Sequence, residues 1–502
     1  MAKSTGIKYN FSGKWDDVEA FLRNYSTDDV IKRINRESKK LLFESRKTGI
    51  PAAKHVNFNL YEKGRYLPQK QEVYIMEWAL LDLAYYIIKV SNDYRGKTIE
   101  YDEELYMLQV AVDNYKEREE KDFVDNDTQG DKKDFYLYLW GFAGEQFKLQ
   151  NPKSVFDNFS RDMYMLFEIN DPCLFDMEKA LYDEVGMTWD KVVSYLMLAW
   201  YGFTKVNTLQ EVIENVKWKT PNNKTEFEHV IKRYTTNYYE VRKSPLGRQI
   251  LYAKPYVKTQ KGEVVSVSAY LNLFLYEHCI LWLIRDNFKK QNKQDFVNYF
   301  GELFEKYFNE LLSSCLKDEE YERIIESDKD KRADWKLIIG QYKFLVEQKS
   351  TVLRLSAKQQ QTDISAIKDF AKKTVFKALR QLENTEKDLM DGKYIKIILL
   401  YEDYLKPELL EQFINMPECD VKNDKYYWLV SIEEMEMLLN LLKFDRKKFD
   451  RIIKEKIERE TNHSIAGKSL LQLLNENGIF KNEYIKQEKF TKYKKINKVS
   501  CD

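Results

Sequence analysis

Apolar residues recur at helical spacing through most of the first half of the chain. The clearest runs are VEAFLRNY (18–25), EWALLDLAYYIIKV (77–90) and WDKVVSYLMLAWYGF (189–203). They predict amphipathic helices over residues 1 to about 245. From residue 244 the pattern changes. Two β-like runs, ILYAKPYV (250–257) and EVVSVS (263–268), flank a turn at 258–262. The helix 296–312 follows, with Phe296, Phe300, Leu303, Phe304, Tyr307, Phe308 and Leu311 on one face. Next comes a hairpin pattern, ADWKLIIGQYKFLVEQKS (333–350). The remaining order is helix (about 363–390), buried strand YIKIILLY (394–401), helix (407–415), strand KYYWLV (425–430) and helix 432–442. Strands alternating with helices imply a mixed sheet covered on both faces, hence an α+β or α/β multidomain protein. The expected divisions are a helical domain at 1–245, a hairpin and connecting helix at 246–295, a mixed-sheet domain at 296–445, and a helical, lysine-rich extension at 446–502.

Composition narrows this picture. A chain of 502 residues exceeds the size at which single cores stop growing. Acidic and basic residues nearly cancel, at a net charge of +1, so any nucleic-acid-binding surface must be local. The five cysteines form no CxxC or CxxH pair, which argues against zinc and fits free thiols in a reducing compartment. The first residues lack an apolar signal core. The apolar runs 74–90 and 270–284 are short or carry charges, so they read as buried helices. A cytoplasmic protein without membrane contact is expected. The charged stretch 116–134 reads as a solvated loop, and the tail 481–498 as a solvated, frayed terminus or a segment touching a phosphate backbone. Gly141 and Gly144 lack the strand–loop–helix context of a phosphate cradle. The four histidines are scattered. His278 and Cys279 are neighbours whose side chains diverge on a helix, and His278 reads as a satisfied core residue.

The hairpin carries the chemistry. Gly340 at the first central position of a two-residue turn pairs Ile339 with Tyr342. The same register sets Asp334 directly opposite Glu347, with Lys349 on that face. The other face carries Trp335, Leu337, Ile339, Tyr342, Phe344 and Val346 without a charge, and should be the core. Two adjacent carboxylates stay ionised when a cation lies between them, and hard oxygen donors suit Mg²⁺ or Mn²⁺. A nearby lysine can orient water and balance phosphate charge. The plain alternative is a cross-strand ladder, with Lys349 and Lys343 paired to Asp334 and Glu347 on a solvated face.

The order of elements over about 250–445 resembles the PD-(D/E)xK nuclease superfamily, with its restriction-endonuclease-like fold. Asp334 matches the acidic motif, with Ala333 in place of the proline, and Glu347-Gln348-Lys349 matches the second motif. The segment GELFEKYFNELL looks like the preceding helix of such enzymes, which would make Glu305, rather than Glu302 or Glu310, a further metal ligand. On FKALRQLENTEK, Gln381 matches a glutamine expected to hydrogen-bond the site or a substrate phosphate, with Lys377 and Arg380 near the backbone. The resemblance implies an Mg²⁺-dependent endonuclease on DNA (Mn²⁺ substituting), with Asp334, Glu347, Lys349 and Gln381 catalytic and Glu305, Asp334 and Glu347 holding metal. It further implies bacterial restriction or antiphage defence, with the helical domain 1–245 sensing DNA, a phage product or a partner ATPase, or recognising substrate. Cutting both strands of a duplex would call for two sites, hence a homodimer. A catalytically silent sensor that binds nucleic acid or a partner, and an RNA nuclease, stay open. The first 245 residues carry no recognised motif.

Overall fold

The computed structural model describes residues 14–48, 53–126, 154–350 and 369–494, apart from 63–64, 92, 94–95, 294, 326–330, 370, 403–409, 411–412, 415, 417–418, 422–425 and 462–467. Gly141 and Gly144 lie outside the described residues, as do most of 407–415 and the start of the helix expected from 363.

Four helices, Trp15–Leu22, Thr27–Thr48, Glu77–Val90 and Asp102–Asn126, build the first core, as their periodicity predicts. Val18, Ile34, Leu81, Ile88 and Leu108 meet there. The same core takes Tyr238, Leu251, Val265 and Tyr270 from much later in the chain. A long antiparallel hairpin joins it, β1 (Ala53–Glu62) and β2 (Arg65–Met76), paired from Ala53↔Met76. This hairpin was not expected from the helical pattern. Its signal is the period-two alternation of Val56, Phe58 and Leu60 with polar residues. The stretch 116–134 is also corrected, because 116–126 completes the Asp102–Asn126 helix. Lys116 Nζ donates to Asp82 Oδ2 at 2.5 Å, which anchors that end. Residues 127–134 lie outside the described set.

A small sheet follows, with β3 (Thr235–Asn237) parallel to β4 (Tyr256–Lys258) and β4 antiparallel to β5 (Val264–Ser266). The run ILYAKPYV is therefore strand only at its end. Residues Gln249–Ala253 are helical, and Pro255 pushes Lys254 out of the helical region.

The main sheet has five strands in the order β10-β9-β8-β7-β6. They are β6 (Tyr321–Arg323), β7 (Trp335–Ile339), β8 (Tyr342–Lys349), β9 (Ile395–Leu400) and β10 (Tyr427–Ser431). β6, β7 and β8 are antiparallel, whereas β8, β9 and β10 run parallel. Trp335, Leu337, Phe344, Val346 and Ile397 face a core shared with Phe304, Tyr307 and Phe308 of the helix Phe296–Cys315. That core also takes Phe159, Leu196 and Phe203 from helices upstream of residue 245. The opposite sheet face is covered too: Leu345, Ile398 and Leu400 pack on Ala378, Leu379 and Leu382 of the helix Lys377–Leu389. The protein is thus a mixed α+β structure. The helix Lys377–Leu389 covers the charged face of the hairpin at Leu345 and Glu347, whereas nearer the turn Ile338 is exposed.

A buried ion pair ties the upstream helices to this unit. Arg161 Nε and Nη2 each donate at 2.7 Å to Glu436, and both side chains are essentially inaccessible. Tyr307 and Asn482 also donate to Glu436. His278 is buried as expected, with Nδ1 2.7 Å from Asp162 Oδ2. The tail is docked rather than frayed up to residue 494. Tyr484, Ile485, Phe490 and Tyr493 are buried, and Lys492 pairs with Glu168. Among the described residues, no helix is long and apolar enough to cross a membrane.

Candidate active site

Gly340 turns the hairpin at φ 60°, which only the left-handed region supplies. The ladder runs from Ile339↔Tyr342 to Trp335↔Val346 in the predicted register. It stops one residue short of the carboxylates. Asp334 sits at a bend: its N–H donates to Val346 O at 3.0 Å, and its Oδ2 accepts from the Gln348 N–H at 2.6 Å. Asp334 and Glu347 therefore meet at the open end of the hairpin, tied through a side chain rather than as a ladder pair. Trp335 Nε1 donates to Gln348 Oε1 at 2.7 Å, and Gln348 Nε2 to Phe304 O at 3.2 Å, which pins the strand between the two motif residues to the helix behind it.

Glu347 is 2% exposed. Its Oε1 accepts from Lys349 Nζ, while its Oε2 is buried and accepts no hydrogen bond. Burial and then the Asp334 charge push its carboxyl up to about 8, against the opposing pull of Lys349 and Lys377. Lys349 Nζ also donates to Gln381 Oε1 at 3.1 Å, and Gln381 Nε2 donates to Arg332 O at 3.0 Å. Gln381 thus bridges the lysine to the chain entering Asp334. The cross-strand ladder is not formed as drawn from sequence, because Lys343 lies beside Asp391 instead.

Glu305 borders the same cleft, but its Oε2 accepts from Arg323 Nη2 at 2.5 Å. One turn earlier, a Cβ on Gly301 would stand 3.2 Å from Ser350 Oγ. The absent side chain lets this helix approach the end of β8. Asp334, Glu347, Lys349 and Gln381 are brought together, with Glu305 on the wall and Arg380 outside, paired with Asp420 at 2.7 Å. Among the described residues no set of three or more His, Cys, Asp or Glu is gathered closely enough to hold a metal. The fit for a hard cation rests instead on two carboxylates and the orphaned Glu347 Oε2, with water and substrate oxygens to complete the shell.

The cleft holds about 420 Å³. Among the lining residues that sequence reading missed are Trp282, Arg285 and Lys331. The first two lie on the outward side of a helix whose apolar run reads as wholly buried, and their i, i+3 spacing was the available signal. Lys377 lines the cleft as well, and burial, then Lys349 and Lys331, pull its ammonium below its ordinary value. No family model matches this chain, and neither the curated proteins nor the solved structures give a significant match.

Proposed function

We propose that this cleft hydrolyses DNA phosphodiester bonds with Mg²⁺, or Mn²⁺ in its place. The observation that carries the reading is the buried, unpartnered Glu347 Oε2 beside Asp334. A buried acceptor left unmade costs about 1–3 kcal/mol, which a bound cation would relieve. Asp334 and Glu347 would hold the ion, with Glu305 joining once released from Arg323. The ion would polarise the phosphate and lower the pKa of water. Lys349, fixed by Glu347 and Gln381, orients water against the phosphate and balances its charge. Gln381 keeps that ammonium in place. The antiparallel β7–β8 hairpin followed by parallel β9 and β10 supports a restriction-endonuclease-like arrangement. Restriction or antiphage defence in the cytoplasm is the corresponding role, with the upstream helices sensing the trigger or a partner.

A silent nucleic-acid-binding sensor is favoured by one observation, the Glu305–Arg323 pair, which leaves two carboxylates where three were expected. Cleavage of a supercoiled plasmid and of a single-stranded circle by the purified protein with Mg²⁺, Mn²⁺ or EDTA decides between them, beside Glu347→Ala and Lys349→Ala. Metal-dependent nicking lost in both variants is the expected result. No cleavage, together with no Mn²⁺-dependent rise in Tm, would favour the sensor.

A further inference from the structure

Four cations point into the cleft: Arg285, Lys331, Lys349 and Lys377. Lys349 is engaged by Glu347. Among the described residues, Arg285, Lys331 and Lys377 have no carboxylate within ion-pair distance. Lys290, on the same helix as Arg285, is by contrast paired with Glu184 at 2.7 Å. Lys331 and Lys377 line one cleft with Lys349, where like charges repel and gain from an anion between them.

The mouth of the cleft adds an aromatic. Trp282 keeps 39% of its surface exposed, and the Arg285 guanidinium stands 4.9 Å from its ring centre. A guanidinium covers one face of an indole, which leaves the other for a second flat partner. Exposed indole beside cations without a carboxylate partner among the described residues suits a ligand with a planar ring and a phosphate. Bases stack on such aromatics whatever their identity. Inside a duplex the base faces are already stacked on each other, and the ring cannot reach them. A cavity of about 420 Å³ is of small-ligand size, which one unpaired nucleotide matches.

We infer that Trp282 and Arg285 form a stacking platform for an unpaired base, so that the cleft takes single-stranded DNA with its phosphates against Lys331 and Lys377. The inference rests on the nuclease reading of the cleft and names the form of its substrate.

Binding is tested with Ca²⁺ in place of Mg²⁺, by fluorescence anisotropy of a labelled oligothymidylate and of a duplex of equal length. Wild type, Trp282→Ala, Trp282→Phe and Lys331→Ala/Lys377→Ala are compared, each checked for unchanged Tm. Tighter binding of the single strand, weakened at least about 5-fold by Trp282→Ala and kept by Trp282→Phe, is expected. The double lysine variant should weaken binding and flatten its salt dependence. Duplex preference, or single-strand binding indifferent to Trp282, would overturn the inference. Plasmid cleavage lost in Glu347→Ala would still uphold the nuclease reading in that case. No binding to either DNA would also overturn the inference, and the metal-dependent nicking assay would then judge the nuclease reading alone.

Discussion

Lys349 and Gln381 are joined by one hydrogen bond of 3.1 Å, Nζ to Oε1, although they lie on different elements, the end of β8 and the helix Lys377–Leu389. That helix is itself fastened to the chain before β7, through Gln381 Nε2 to Arg332 O and Ala333 N to Thr385 Oγ1 at 2.8 Å. The lysine's position therefore depends on the seat of a helix.

Replacing Gln381 by Ala should leave the fold in place while letting the ammonium drift. Misplacing a reacting group by about 1 Å costs on the order of 100-fold in rate. We expect kcat for DNA cleavage to fall by about 10- to 100-fold with KM little changed, in steady-state assays. Gln381→Glu should act differently, because it adds a carboxylate beside Glu347. An equal loss of Tm and kcat in Gln381→Ala would assign the residue to folding alone.

Glu347 makes the site pH-dependent. Its carboxyl moves from an ordinary 4.5 up to about 8 in the fold, so the folded state binds the extra proton between these values. Its contribution to stability is complete below about pH 4.5 and is lost as the pH rises through 8. A divalent cation must displace that proton. The Mn²⁺-induced rise in Tm should therefore be larger near pH 8 than near pH 6, and Glu347→Gln should abolish both the rise and its pH dependence. Differential scanning fluorimetry at the two pH values checks this.

Arg161 and Glu436 supply a stability prediction. Removing one partner of a fully buried pair leaves an uncompensated charge and costs about 3–5 kcal/mol. Arg161→Met should lower Tm sharply in thermal unfolding, and Arg161→Met/Glu436→Met should lower it less. Equal losses in both variants would mean that packing, not charge, is what fails.

The fold was legible where one period ran unbroken. The hairpin register follows from Gly340 and the alternation of Trp335, Leu337 and Ile339, and β9 from the run IKIILL at 395–400, apolar but for Lys396. The end of the ladder was not legible, because the bend at Asp334 is set by contacts with Ile324, just past β6, and with Gln348, not by its neighbours in sequence. β1 and β2 were hidden among strong helical patterns. The tail's burial depends on Tyr164 and Trp189, more than 290 residues away along the chain, whose rings receive Phe490 and Tyr493. Lysine content suggested a solvated end, but a lysine ammonium also seats over aromatic rings, as that of Lys489 does at Tyr164 and Phe490.

The Glu305–Arg323 pair carries one more consequence. Arg323 belongs to β6, the outermost strand of the sheet, and is 66% exposed. On the proposed reading, a cation entering the cleft would compete with a guanidinium for the same carboxylate, and its affinity would be that of the site minus the hold of Arg323. Arg323→Ala should tighten Mn²⁺ binding, measured by titration calorimetry, while Glu305→Ala should make the two backgrounds equal. Anything that seizes the exposed guanidinium from outside would act on the ion within, which gives the edge strand the character of a latch.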